Sequence, residues 1–233
     1  MRSKMLWTAA GVLAASLLGA GTASAQQQFT LSGGYFAVRG EDARVEGDVL
    51  NVNREIFLFD VSDFGSATVG AEWVVPVGEY LEAGGRVGFV RRTVPSVYRD
   101  YVRPDGTEIE QDFRLRTVPI SGTLRILPLG RSAPIQPYVG GGIVLVSYRY
   151  SETGDFIDFS DPVNLPVFRD SYVASGTAVG AEAVFGLRVP AGPLAFGGEV
   201  RYQKAEADLS NDFLGSKLDL GGLHWLGTIS FRF

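Results

Sequence analysis

The chain has 233 residues, a formal net charge of −5 at pH 7, 30 Gly and no Cys. Without cysteine there can be no disulfide framework, no thiolate metal site and no thiol catalysis, and the acidic balance gives no basic block for nucleic acid. Hydrophobic residues make up 45% of the chain and charged residues 20%, with 15 Phe and 9 Tyr. The sequence therefore has to accommodate a large apolar surface.

The N-terminal segment has the pattern of a secretory signal peptide. Arg2 and Lys4 form a basic start, Met5–Ala20 is largely apolar, and Ala23–Ala25 matches a small-residue cleavage site. The apolar stretch is too short for a membrane-spanning helix. We predict a signal peptide over residues 1–25, cleavage after Ala25, and one domain over residues 26–233.

Beyond the signal peptide, apolar residues alternate with polar or small ones, which is the period of β-strands. The segments are longer than the ~5–6 residues usual for strands of soluble proteins, and each can supply the roughly 9–11 residues that a tilted strand needs to cross a bilayer. The eight predicted strands are Phe29–Arg39, Ser66–Pro76, Tyr80–Thr93, Gln111–Pro128, Gln136–Ser151, Tyr172–Pro190, Leu194–Ala205 and Lys217–Phe233.

The connections between these strands alternate in length. Three short turns are expected at Val77–Glu79, Leu129–Ile135 and Ala191–Pro193. Four long loops are expected at Gly40–Gly65, Val94–Glu110, Glu152–Ser171 and Glu206–Ser216, and the Glu55–Val61 run could add a short hairpin to the first. The pattern predicts an all-β fold: an eight-stranded antiparallel up-and-down transmembrane β-barrel with short periplasmic turns and long extracellular loops.

Each predicted strand has one apolar face and one face of Gly and charged residues. In the second strand, for example, Val69, Ala71 and Trp73 share one face, and Gly70 and Glu72 share the other. A membrane barrel turns the apolar face to lipid and the polar face to its lumen. Because buried charges are tolerated only when paired, we expect a lumen charge network of Glu72, Glu82, Arg86, Arg125, Glu182, Arg188, Glu199, Arg201 and Arg232.

The C-terminus ends on an alternating strand with a terminal aromatic residue. Its apolar positions include Trp225, Ile229, Phe231 and Phe233. This ending resembles the C-terminal insertion signal of bacterial outer-membrane barrels. With the Gly-rich Pro137–Gly142 stretch, the whole chain resembles the small barrel families that include OmpX, OmpW and the membrane domain of OmpA, grouped as outer membrane protein β-barrel domain or porin-like proteins.

The resemblance implies a bacterial outer-membrane location, contact with membrane lipid and lipopolysaccharide, and insertion by the barrel assembly machinery. It further implies a non-enzymatic monomer with a structural or surface-interaction role and with no cofactor, metal or nucleic-acid partner. Two alternatives stay open: an OmpW-like conduit for small apolar molecules, and a secreted lipocalin-like ligand-binding barrel.

Basic residues gather near the predicted extracellular ends of the strands. Arg pairs well with phosphate, so a belt of this kind could contact lipopolysaccharide, although alternation lets only about half of it face lipid. The residues of this belt are Arg39, Arg91, Arg92, Arg114, Arg116, Arg149 and Lys204.

Two further features were weighed as sites of chemistry. His224, the one imidazole, falls on the lumen face of the last strand and lacks a serine two residues later, so we expect no catalytic residues. Asp155, Asp158 and Asp161 lie in one loop without the spacing of an EF-hand, which favours a solvated acidic loop over a cation site.

Overall fold

The computed structural model describes residues 27–233. The predicted signal peptide lies outside these residues and stays a prediction. Among the helices of the described part, none is long and apolar enough to cross a membrane. The elements are β1 Gln28–Val38, β2 Ser66–Pro76, β3 Leu81–Val102, β4 Glu108–Ile126, β5 Gln136–Ile157, β6 Val167–Ala191, β7 Leu194–Asp208, β8 Lys217–Asp219 and β9 Gly222–Arg232, with the helix α1 at Val49–Ile56 and 3-10 turns at Glu41–Ala43 and Val61–Phe64.

The strands close into a ring of antiparallel pairs. Sequential neighbours pair from β1 to β7, β7 pairs with both β8 and β9, and β9 pairs with β1 to complete the circle. β8 and β9 together form the eighth wall strand, which is interrupted at Leu220 and Gly221 where the first loop docks. The predicted eight-stranded antiparallel barrel is confirmed. We call its two ends the turn end, with the short connections, and the loop end.

Two of the predicted long loops are strand instead. Residues of Val94–Glu110 continue the β3–β4 ladder, and most of Glu152–Ser171 continues the β5–β6 ladder as far as the Ile157–Val167 pair. The physical reason is that alternation persists there, with Val94, Ser96 and Tyr98 buried on one face, while many outward positions, such as Glu110 and Thr153, are polar. Losing the apolar outer face does not end a strand.

The first long loop is also different from the expected one. The sequence allowed a short hairpin around Glu55–Val61. Instead, the chain forms α1, and at its start the Asp48 side chain accepts from the backbone N–H of Asn51. Within Glu55–Val61, only Phe57 makes an isolated bridge, to Tyr98. The helix and the residues after it fold into the barrel rather than standing above it.

The outer face carries a continuous apolar band near the turn end. The side chains of Trp225, Ile229, Phe231 and Phe233 point outward and are 44–60% exposed, and Trp73 joins them beside Phe233. This distribution is the reverse of a secreted ligand-binding barrel, whose apolar face is internal. Tyr138 and Tyr148, by contrast, point into the lumen and are buried.

Candidate functional site

The lower lumen, toward the turn end, is filled by ion pairs centred on Arg201. Its guanidinium contacts Glu72 and Glu182 at 2.7 Å each and also pairs with Glu199. Arg125 shares Glu72 and lies 3.6 Å from Glu199. Every one of these side chains is at most 5% exposed, so the charges neutralise one another away from water.

A second group of the same network lies closer to the turn end. Arg188 donates to Glu82 at 2.8 Å, to Gln28 at 2.7 Å and to Gln136 at 3.0 Å. Tyr138 joins the two groups, because its ring packs under the guanidiniums of both Arg125 and Arg188.

Arg86 and Arg232 are two further members of the predicted lumen set. Arg86 is buried where Gly70 and Gly88 leave space: a Cβ added at either glycine would approach its guanidinium to 2.7 and 2.8 Å. Arg232 points inward at the turn end of β9 and is only partly buried. His224 also faces the lumen, where its ring lies 4.5 Å from that of Phe36.

The upper lumen is apolar, which the sequence did not predict. Val144, Val146 and Leu115 line the wall there, and the first loop inserts Leu50 and Phe57 against it. Within residues 27–233 these side chains belong to one buried cluster with Phe59, Val61, Phe64, Phe113 and Tyr150 among others. We call the inserted residues 48–64 the plug. The run Ile143–Val146, which is apolar on both faces, was a signal for it: Ile143 and Leu145 are exposed on the outer wall, and Val144 and Val146 are covered by the plug.

A buried ion-pair cluster fastens the plug to the wall. Arg44 pairs with Asp48 at 2.5 Å and donates to the backbone oxygen of Asp219 at 2.8 Å, while Asp48 accepts from the backbone N–H of Asp219 at 2.7 Å. Arg39 pairs with the Asp219 carboxylate at 2.9 Å. The contact of Arg39 with lipopolysaccharide stays a prediction, and in the structure its guanidinium is engaged by Asp219.

Four of the other predicted basic residues come together on the outer wall. Register places Arg91 opposite Arg116, and Arg116 opposite Arg149, so three adjacent strands carry arginines at one height. Arg114 stands two residues from Arg116 on the same outward face and donates to Thr93 at 3.1 Å. We call these four residues the arginine row. Within residues 27–233, no carboxylate oxygen lies within 4 Å of them.

The arginine row sits at the upper edge of the apolar band. Phe89 and Val118, the next outward residues below Arg91 and Arg116, belong to the apolar face, and Phe89 is exposed. The row lines a surface pocket of about 250 Å³ together with Ser151, Thr153, Ser171 and Val173.

The two remaining basic residues lie elsewhere. Arg92 contacts the plug, because it donates to the backbone oxygen of Asp63 at 2.7 Å. Its contact with lipopolysaccharide stays a prediction. Lys204 points outward, but from β7, away from the row.

The acidic side chains of the third loop are engaged in local structure. Asp155 pairs with Arg103, Asp158 accepts from the backbone N–H of Ser160, and Asp161 accepts from that of Asn164. Among the described residues, no group of three His, Asp or Glu side chains could hold a metal ion.

Comparison with known proteins yields structural likenesses alone. No protein-family model matches the chain, and no curated protein matches it in sequence. The major outer membrane protein of Thermus thermophilus is 13% identical, with a TM-score of 0.50 over 89% of this chain and 99% of that protein. OprG from Pseudomonas aeruginosa is 13% identical, with a TM-score of 0.49 over 90% and 97% of the two chains.

Neisserial surface protein A gives a TM-score of 0.46 at 12% identity, over 91% of this chain and all of that one. The likeness to the Thermus protein shows the fold. The expected resemblance to small outer-membrane β-barrels is confirmed at that level.

Proposed function

We propose that this chain, which has the fold of small outer-membrane barrels, is an integral outer-membrane protein that acts at its surface. In this proposal it inserts as a monomer through the barrel assembly machinery, places its turn end in the periplasm and has no catalytic activity. The outward C-terminal aromatics support insertion, because such residues favour the edge of the bilayer.

The arginine row is the observation that carries the functional proposal: it binds phosphate groups of lipopolysaccharide. Like charges placed directly opposite one another on adjacent strands destabilise a sheet, and three such charges stand side by side at Arg91, Arg116 and Arg149. Guanidinium forks bind phosphate through two hydrogen bonds. An anionic lipid headgroup just above the apolar band would remove the repulsion.

The wall residues around the row fit the same ligand. Ser151, Thr153 and Ser171 supply hydroxyls at the edge of the pocket, and hydroxyls can donate to phosphate oxygens. Asp155, the acidic residue above them, is paired with Arg103, which reduces its repulsion of an anion. Its 3.8 Å contact with the exposed Arg169 adds little to this.

The test compares barrel stability in two membranes. Thermal unfolding of the wild type and of the double variant Arg116→Ala, Arg149→Ala is followed by gel mobility in bilayers with lipopolysaccharide and in phosphatidylcholine alone. We expect lipopolysaccharide to stabilise the wild type and to stabilise the double variant much less. In phosphatidylcholine alone the two proteins should differ little, apart from the relief of charge repulsion when two arginines are removed.

Arg169→Ala is the matched control, because Arg169 is an exposed arginine outside the row. It should keep the full stabilisation by lipopolysaccharide. Equal stabilisation of wild type and double variant would refute phosphate binding by the row.

The alternative function, a conduit for small apolar molecules, is not supported by an open path along the barrel axis. The lower lumen is closed by the Arg201 ion pairs and the upper lumen by the plug. Eight-stranded barrels have interiors just wide enough for side chains to fill.

A further inference from the structure

A cavity of about 240 Å³ opens at the loop end, above the plug. We call it the mouth pocket. Four distant parts of the chain contribute to it: Phe57 follows α1, Tyr98 lies on upper β3, Phe168 on upper β6, and Leu214 in the last loop. Its volume is below the roughly 300–1,000 Å³ of pockets for drug-sized ligands. A fitting ligand is therefore small.

The walls of the mouth pocket are aromatic. Phe57 packs edge-on against Tyr98 at 4.6 Å between ring centroids, and Phe156 packs edge-on against Tyr172 at 5.0 Å. Phe159 and Phe168 complete the set of six rings. The Tyr98 hydroxyl accepts the backbone N–H of Ile157 at 3.2 Å, which fixes its orientation. Clustered ring faces attract cations, and quaternary ammonium groups are bound in cages of this type.

The second observation is a buried carboxylate on the same pocket. Glu152 is 4% exposed and lines the cavity. One of its oxygens accepts from the Asn53 amide at 2.7 Å and from the Tyr150 hydroxyl at 2.9 Å. Within residues 27–233 it forms no ion pair, in contrast to the glutamates of the lower lumen. Buried charges are normally paired, so Glu152 lacks a counter-charge.

The lining contains no competing base. Glu152 and Asp212 are its only charged residues, and Asp212 stands exposed at the rim. Upper β5 lies outside the apolar band, so Glu152 is outside the membrane-spanning part. Burial raises the pKa of Glu152 above its ordinary value, and the hydrogen bonds from Asn53 and Tyr150 offset only part of this effect. A cation in the pocket would supply the missing partner.

We propose that the mouth pocket binds a small organic cation of the quaternary ammonium class, with its methyl groups against the rings and its charge facing Glu152. A quaternary ammonium group has no N–H to donate, whereas a primary ammonium needs hydrogen-bond acceptors. The quaternary group fits better, because the Tyr98 and Tyr150 hydroxyls and one oxygen of Glu152 already form hydrogen bonds. This binding site is separate from the arginine row and does not depend on it.

The experiment separates charge from shape. Calorimetric titration of the folded full-length protein, in maltoside detergent at pH 8, compares choline with 3,3-dimethylbutanol, which has the same shape without the charge. We expect choline to bind at least tenfold more tightly than the alcohol. Glu152→Gln should remove most of this difference while keeping the two hydrogen bonds from Asn53 and Tyr150.

Two further variants complete the design. Glu110→Gln removes an exposed carboxylate on the outer face of β4 and should leave choline binding unchanged. Tyr172→Leu removes a wall ring and keeps Glu152, and it should weaken choline binding severalfold. If Glu152→Gln does not fold, Tyr172→Leu carries the test. Equal affinity for choline and the alcohol, or unchanged choline affinity in the folded Glu152→Gln or Tyr172→Leu protein, would overturn the proposal.

Discussion

Glu152 carries a stability cost that depends on pH. Burial raises its pKa in the folded state, so its ionisation costs folding free energy as pH rises through that raised pKa. The groups facing it are Asn53, Tyr150, Tyr98, Tyr172 and, at the rim, Asp212, and none supplies positive charge.

Glu152→Gln should therefore stabilise the barrel at pH 8 and have little effect at pH 4, where the wild-type carboxyl is protonated. Thermal unfolding at the two pH values, without added cation, measures the difference. A stabilisation that is the same at both pH values, or larger at pH 4, would show that ionisation of Glu152 is not the cause.

Arg201 holds three glutamates in the lower lumen, and its loss should be costly. In Arg201→Met, Glu72, Glu182 and Glu199 lose their shared partner, and removing one side of a buried pair typically costs about 3–5 kcal/mol. Denaturant unfolding measures the loss. Arg169→Ala, at an exposed pair 3.8 Å long, should cost about 0–1 kcal/mol. Similar losses in the two variants would contradict a stabilising role for the network.

The face of the barrel on which a side chain lies could be predicted wherever the strand period alone decides it. Alternation puts Glu72, Arg125 and Arg201 on the inner face, and the structure places them there. The contacts of Arg39 with Asp219 and of Arg92 with the backbone of Asp63 could not be predicted, because they form only when the first loop folds. No local pattern encodes those long-range contacts.

At the scale of elements, the Arg44–Asp48–Asp219 cluster should decide whether the plug stays in place. Asp48→Ala leaves the buried Arg44 guanidinium without its carboxylate and removes the acceptor at the start of α1. Local opening of the plug then becomes easier while the wall strands keep their pairing.

Limited trypsin digestion with mass spectrometry measures this opening. We expect cleavage after Arg44 to become at least tenfold faster in Asp48→Ala. Glu46→Ala, at an exposed neighbouring acid, should behave like the wild type. An unchanged cleavage rate in Asp48→Ala would mean that the cluster does not hold the plug.

The strands were more predictable than the segments between them. β2 coincides with its predicted range, since Ser66–Pro76 alternates from end to end. The predicted strands β3 to β6 stop short of their observed limits at the loop end, because polar outward residues replace apolar ones above the band. The helix α1 has only eight residues, and its stability comes from burial of Val49 and Leu50 in the lumen.

For the whole molecule, the lumen contents predict an electrically closed barrel. Planar-bilayer recordings of the purified protein should show no steady single-channel current, with a large general porin as the positive control for insertion. Resolved, long-lived conductance steps from the wild type would contradict a lumen that is closed at both levels.

The overall architecture could be predicted because the same alternation of apolar and polar residues recurs in every strand. Strand period, strand count and the apolar outer face were all available from the sequence. The apolar upper lumen and the mouth pocket were not, because both require that residues far apart in the chain, such as Phe57 and Phe156, meet at one end of the barrel.

The most direct test of the account asks whether the arginine row touches lipid phosphate. Solid-state NMR can measure dipolar coupling between ¹⁵N-labelled arginine side chains and ³¹P in bilayers containing lipopolysaccharide. The account predicts guanidinium signals dephased by ³¹P in the wild type, with the dephasing sharply reduced in Arg116→Ala, Arg149→Ala and retained in Arg169→Ala. Wild-type guanidinium signals without any ³¹P dephasing would contradict it.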